Sequence, residues 1–265
     1  MTSQMPVRAV IFDMDGVLWR GNEVIPAAPP FLDFLRARAV PFVLATNNSG
    51  QAPVDYEDKL QRLGLGQVPL EHIITSGVVT VRYLKAHLPA RSQVYVVGGD
   101  GLRALVTQAG FVLADADVSV VVAGIDRQFT YEKAWRAMRL IQGGALFIGT
   151  NPDTSFPMPD GPSPGAGSIL AMLAAACGQQ PLVMGKPAPH MFEAALEVLG
   201  TRPEESLMIG DRFDTDIAGA QAVGLQTALV LTGIETRETA AVNPDLGATR
   251  VVDDLSVLQA MWEGI

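Results

Sequence analysis

Ala9-Val10-Ile11-Phe12-Asp13-Met14-Asp15-Gly16 is a short apolar run that ends on two carboxylates one residue apart. In an extended strand successive side chains point to opposite faces, so Asp13 and Asp15 leave on the same side, and Gly16 lets the backbone turn just beyond them. Two acids can then face one reacting atom. Like charges about 4 Å apart repel by ~4 kcal/mol at an effective dielectric near 20, so the pair calls for a cation or a proton. Taken alone, the motif also fits a surface turn that happens to hold two aspartates.

The same rhythm, an apolar run closed by a polar or glycine turn and followed by a helix-like segment, recurs along the chain. Runs fall at Ala9 to Phe12, Phe42 to Ala45, Val94 to Val97, Val118 to Ala123, Leu146 to Ile148, Ser206 to Ile209 and Thr227 to Leu231. Between them, stretches such as Phe31 to Arg38 and Met191 to Leu199 carry apolar residues at spacings of three and four, which buries one helix face against a sheet. The pattern predicts a parallel α/β fold. Phe156 to Gly167, dense in proline and glycine, reads as an ordered, constrained loop.

Open parallel sheets bind ligands beyond the carboxyl ends of their strands. Asp13 and Asp15 follow the first run, Thr46-Asn47-Asn48-Ser49 the second, and Gly210-Asp211-Arg212-Phe213-Asp214-Thr215-Asp216 the run at Ser206. Gly185-Lys186-Pro187 stands just before a helix that begins near Pro189. Fold logic thus brings together a lysine, a hydroxyl, amides and several carboxylates.

Composition narrows the function. The chain has 265 residues, enough for two domains or one with a large insertion, and its 48% apolar and 18% charged residues are those of a globular protein. A net charge of −9 without a Lys/Arg cluster argues against a nucleic-acid groove. No segment reaches the ~18 apolar residues of a membrane span, and no signal peptide is evident, so a cytoplasmic location is expected. The single cysteine, Cys177, excludes an intramolecular disulfide and reads as a small buried helix residue. His72, His87 and His190 do not cluster and read as packing or helix-surface residues. Gly99-Asp100-Gly101-Leu102-Arg103-Ala104 fits a loose dinucleotide fingerprint, but no acidic residue ends the next strand at the expected distance, and strand-to-helix packing is the better account.

Asp13-Met14-Asp15-Gly16, Thr46, Lys186 and Gly210-Asp211 to Asp216, in this order, resemble the motif set of the haloacid dehalogenase-like hydrolase superfamily. Ala45-Thr46-Asn47-Asn48-Ser49, Gly149-Thr150-Asn151-Pro152-Asp153 and Pro164-Gly165-Ala166-Gly167-Ser168 narrow the likeness to its NagD-like phosphatases. The resemblance implies a Rossmann-like core with an inserted α/β cap and Mg²⁺-dependent hydrolysis of small phosphomonoesters, of sugar, nucleotide or phosphoglycolate type. Asp13 would be the nucleophile that forms an aspartyl phosphate, and Asp15 the acid and base that serves the leaving oxygen and then water. Thr46 and the amides near Asn47 and Asn48 would hold the phosphoryl oxygens, and Lys186 would pair with phosphate and nucleophile. Asp13, the Asp15 backbone carbonyl and Asp211 would be the metal ligands, with Asp216 ordering the outer shell. Three carboxylates and a phosphate dianion against one lysine explain why a hard dication is needed. Asp214 is expected to face elsewhere, in a capping or salt-bridge role. A phosphotransferase built on the same intermediate, and a non-catalytic phosphometabolite binder, are the alternatives.

The stretch between Asp15 and the helix near Pro30 is too short for a cap, whereas Thr46 and Lys186 stand about 140 residues apart, far beyond a usual crossover. The cap is therefore expected at 86–180, with the core formed by 1–85 and 181–265. Asn151, Asp153 and the loop from Phe156 are its candidate substrate-facing elements, although Asn151-Pro152-Asp153 reads equally as a self-bonding turn. Phe156 stands where pyridoxal phosphate phosphatases carry a histidine, a departure from that specificity. Self-association through the cap is a further implication of the resemblance.

Overall fold

The expected central run forms a fully buried strand, Ala9–Phe12, in the middle of a six-stranded sheet. In this computed structural model, residues 7–156, 161–243, 247 and 249–264 are described. Across the sheet the strands run Arg250–Val252, Gln226–Val230, Ser206–Gly210, Ala9–Phe12, Phe42–Thr46 and Ile73–Thr75. Ala9–Phe12 pairs in parallel with both neighbours, Phe12 standing opposite Ile209 on one side and Leu44 on the other. Chain order reverses between Ala9–Phe12 and Ser206–Gly210, the switch point at which such sheets open a ligand crevice. Asp13 and Asp211 follow these two strands directly.

Two short edge strands, Ile73–Thr75 and Arg250–Val252, are absent from the sequence reading, because three residues at a sheet edge carry too little periodicity to stand out. The helix expected at Phe31 starts earlier, at Ala28, since Pro29 and Pro30 occupy the first turn, where a missing N–H costs nothing. Its buried Phe31 packs edge-on against Phe12 at 5.9 Å, and Phe12 meets Phe42 at 5.8 Å. Helix Pro189–Leu199 likewise opens on a proline and stops at left-handed Gly200.

The described chain divides into two compact units, one of residues 1–46, 53–74 and 186–265, the other of 47–52 and 75–185. The motif spacing predicts the insertion at 86–180. Helix Ser76–His87 and strand Leu182–Val183 fall within the second unit instead, and the six residues after Thr46 join them. That unit holds a five-stranded parallel sheet, ordered Leu182–Val183, Leu146–Gly149, Val120–Ala123, Gln93–Val97 and Val112–Leu113. Val97, Val121, Ile141 and Leu173 are in its core. Cys177 ends helix Ala166–Cys177 and is buried there. Gly101 lies in the first turn of helix Asp100–Gln108 beneath the Gly50 carbonyl, with no room for a Cβ, so this glycine of the motif serves packing. Ser155–Phe156 and Ser163–Pro164 pair as a small antiparallel hairpin, while 157–160 of the proline-rich loop lie outside the described residues. No helix among the described residues is long and apolar enough to cross a membrane.

Phe31→Ala empties a fully buried site in the first unit and is expected to cost about 3–5 kcal/mol, read as a lowered urea midpoint.

Candidate active site

Strand geometry delivers the first unit's polar groups to one edge. Asp13 continues the pairing of its strand, its N–H donating to the Ile209 carbonyl at 2.8 Å. Lys186 is among the most buried large side chains of the chain. Its ammonium donates to Asp13 Oδ1 at 2.6 Å and to the Ala45 carbonyl at 3.0 Å, and lies 2.7 Å from Asp216 Oδ1. Asp216 and Lys186 each leave 2% of the side chain exposed, and Asp13 leaves 13%. Of the ion-paired group, the residue expected to react is the one that solvent reaches.

Asp211 completes the cluster. A turn with Gly16 at φ +85° brings backbone against its carboxylate, and a Cβ on either Gly16 or Gly233 would collide with it. Its Oδ2 accepts the Ile234 N–H at 2.8 Å. One carboxylate oxygen from each of Asp13, Asp211 and Asp216 lies within 4.8 Å of the others. Hard oxygen donors, buried together and outnumbering the one ammonium, fit a divalent cation that prefers oxygen. Asp216 also accepts the Arg212 N–H at 3.2 Å, from a wide helical turn over Phe213–Ile217. Asp214 points away into a two-bond pair with Arg212, at 3.0 and 2.7 Å, as expected.

The electrostatics follow from burial. Asp13 is held well above the usual carboxylate range by desolvation first, with Lys186 opposing and Asp216 and Asp211 reinforcing. Asp211 is pushed up to about 7 by burial and by Asp216, against the Ile234 N–H and Lys186. Burial acts to lower the Lys186 value, but Asp13 and Asp216 outweigh it and raise it. Without a cation, protons compete for these carboxylates.

Asp15 departs from the cluster: it is exposed, and its Oδ1 accepts the Trp19 indole N–H at 2.8 Å. Thr46 is buried at the end of its strand. Asn47 and Asn48 belong to the second unit. There the Asn47 carbonyl accepts Ser76 Oγ at 2.5 Å and Asn151 Nδ2 at 2.6 Å, while Asn48 Oδ1 accepts the Gly50 N–H at 2.8 Å. Asn151 Oδ1 accepts the Asp153 N–H at 3.1 Å, the self-bonding turn of the two readings. His72 bonds the Phe42 carbonyl at 2.8 Å, His87 the Tyr83 carbonyl at 2.8 Å, and His190 pairs with Glu193 at 3.6 Å. Trp19 and the Asp211-cradling Gly233 belong to none of the motifs that the sequence presents. The Gly21-Asn22 turn that folds Trp19–Arg20 onto Glu23–Val24 was the available signal for the first.

Residues 10–112 match the model of the haloacid dehalogenase-like hydrolases, and residues 183–258 that of the HAD-hydrolase-like proteins. A dihydroxyacetone phosphatase of Corynebacterium glutamicum is 40% identical over 251 residues, 95% of this chain and 90% of that one. The chain belongs to the haloacid dehalogenase-like hydrolases. Within them it falls in the NagD-like branch and is a hydrolase of phosphoric monoester bonds. An acid sugar phosphatase of Staphylococcus aureus is 39% identical over 87% of this chain and 89% of its own. Among solved structures, the 4-nitrophenylphosphatase of Thermotoga maritima matches with a TM-score of 0.91 at 32% identity, over 96% of this chain and 97% of that one. NagD of E. coli K-12 matches at 0.87 and 30%, over 95% and 98%.

An aspartate whose folded-state pKa is raised contributes stability in full below its unfolded value, about 3.9, and loses it as pH rises through the folded one. In metal-free protein the Asp211 contribution is therefore lost as pH climbs through about 7. A carbon-13 NMR titration is expected to place the Asp211 midpoint lower in Asp216→Asn than in the wild type, because a repelling charge is gone.

Proposed function

We propose that this hydrolase cleaves small sugar-type phosphomonoesters through an aspartyl phosphate on Asp13. The observation that carries the reading is the Asp13 carboxylate, 2.6 Å from the Lys186 ammonium, partly exposed and clustered with two further carboxylates beyond a switch point of a parallel sheet. The names of the curated relatives, a dihydroxyacetone phosphatase and an acid sugar phosphatase, support the ester class.

Asp13 attacks phosphorus as the bond from phosphorus to the ester oxygen breaks. Asp15 gives its proton to that leaving oxygen, then takes one from the water whose oxygen attacks the aspartyl phosphate. Inorganic phosphate leaves and Asp13 is restored. Lys186 orients Asp13 and meets the charge of the phosphoryl group. Thr46, with Asn47 and Asn48 that follow it, is assigned the phosphoryl oxygens on the strength of the motif. The carboxylates of Asp13 and Asp211 and the Asp15 carbonyl would hold Mg²⁺, with Asp216 in support of that set. Bound there, Mg²⁺ would neutralise phosphoryl charge and favour ionised Asp13. Cytoplasmic placement and self-association through the second unit, where Tyr131 and Trp135 are exposed, belong to the same reading.

Purified protein with Mg²⁺ is expected to release phosphate from dihydroxyacetone phosphate or other sugar phosphates, to stop when EDTA removes the ion, and to resume when it is restored. Asp13→Asn should lower kcat/KM by roughly 10⁴-fold or more. Absence of phosphate release across triose, sugar, nucleotide and glycolate phosphates, or an undiminished Asp13→Asn, would overturn the reading.

Mg²⁺ affinity, measured by calorimetry, is expected to weaken as pH falls from 8 to 6, with proton release on binding, because Asp211 titrates near 7 when no cation is bound.

A further inference from the structure

Trp19 has no exposed surface, yet its donor-only indole N–H ends on an exposed carboxylate, Asp15 Oδ1, at 2.8 Å. A buried N–H without an acceptor is costly, so this bond is one the fold defends. The ring itself is clamped. Tyr56 stacks on it with centroids 6.5 Å apart and planes inclined by 19°, and the Lys59 ammonium stands 4.2 Å from its centre. Its backbone closes the turn as well, the Trp19 carbonyl accepting the Gly16 N–H at 2.8 Å. The hairpin of Trp19–Arg20 with Glu23–Val24 holds the strand that carries it. An exposed aspartate would ordinarily sample several rotamers. Here a rigid donor selects one.

We propose that Trp19 is a positioning residue for the Asp15 carboxyl group. Resting on the phosphatase reading above, the inference adds a division between the two oxygens of Asp15. Oδ1 is committed as acceptor to an indole that can only donate, so a proton on Asp15 resides on Oδ2, the oxygen that accepts no hydrogen bond among the described residues. Trp19 therefore decides which oxygen delivers the proton and in which direction it points. Tyr56 and Lys59 hold the ring that makes this choice.

Protonation of the leaving oxygen matters when that oxygen is strongly basic and matters little when it is an activated phenolate. Trp19→Phe keeps the ring and removes the N–H. With Mg²⁺ present, kcat/KM for a sugar or glycerol phosphate is expected to fall roughly 10- to 30-fold, part of the 10²–10⁴ that a positioned acid supplies. For 2,4-dinitrophenyl phosphate the fall is expected to stay within about 3-fold, since that leaving group needs little protonation. An equal loss on both esters, or none on either, overturns the positioning role while wild-type turnover and the Asp13→Asn result keep the phosphatase reading standing. Wild-type protein inactive on both esters overturns the two together.

A measurement on the hydrogen bond itself covers a Trp19→Phe protein that fails to fold. The chain has three tryptophans, so the Trp19 indole can be assigned in a nitrogen-15 spectrum. Its N–H proton is expected to shift upfield and to exchange faster in Asp15→Ala, a change at an exposed side chain. An unmoved resonance overturns the proposal.

Discussion

The Lys186 ammonium, buried between Asp13 at 2.6 Å and Asp216 at 2.7 Å, is the interaction around which the first unit is arranged. A charge with 2% of its side chain exposed has lost its water, and only closely placed carboxylates and a carbonyl make that tolerable. Removing one member of such a pair costs roughly 3–5 kcal/mol, because the other is left uncompensated. The groups come from distant places in the chain: Asp13 directly after strand Ala9–Phe12, the Ala45 carbonyl within strand Phe42–Thr46, Asp216 in the turn Phe213–Ile217, and Lys186 three residues before helix Pro189–Leu199. Parallel pairing in a fixed register is what makes them meet.

Lys186 does not balance the site. Asp211 adds a third carboxylate, packed against the Gly16 and Gly233 backbone and bonded to Ile234 N–H. Its pKa near 7 and the raised value of Asp13 follow first from burial and then from the neighbouring carboxylates, in a fold that buries acids without enough bases. Such an arrangement is poorly suited to stability alone and well suited to a dication. The two aspartates of the opening motif therefore live in different surroundings. Asp13 is enclosed with like charges, and Asp15 is exposed on an indole donor. Distinct surroundings are what the proposed roles of nucleophile and proton carrier require of one another.

The second unit shows how a polar turn becomes architecture. Asn151 stood open as a substrate contact or a self-bonding turn, and its amide is spent on the Asn47 carbonyl and the Asp153 N–H. Ser76 bonds that same carbonyl and Ser49 bonds Thr150, so residues 47–52 are anchored in this unit although they directly follow Thr46. These buried bonds all lie within the second unit and leave no periodic trace in the sequence. The unit expected to begin at 86 takes in helix Ser76–His87 as well.

What the chain determined by itself was the strand that ends at Asp13, the parallel α/β class and the four motif segments. Alternation of side chains, apolar runs and helix-stopping glycines are local effects, legible over a few residues. Strands Ala9–Phe12, Phe42–Thr46 and Ser206–Gly210 fell where periodicity put them, to within a residue. Tertiary structure alone decided that Asp13 and Asp15 would part, that Gly233 would press on Asp211, and that Trp19 would hold Asp15. Each of these depends on backbone approach or on one hydrogen bond made by a buried donor. Such contacts are fixed by packing in three dimensions, and no spacing along the sequence encodes them.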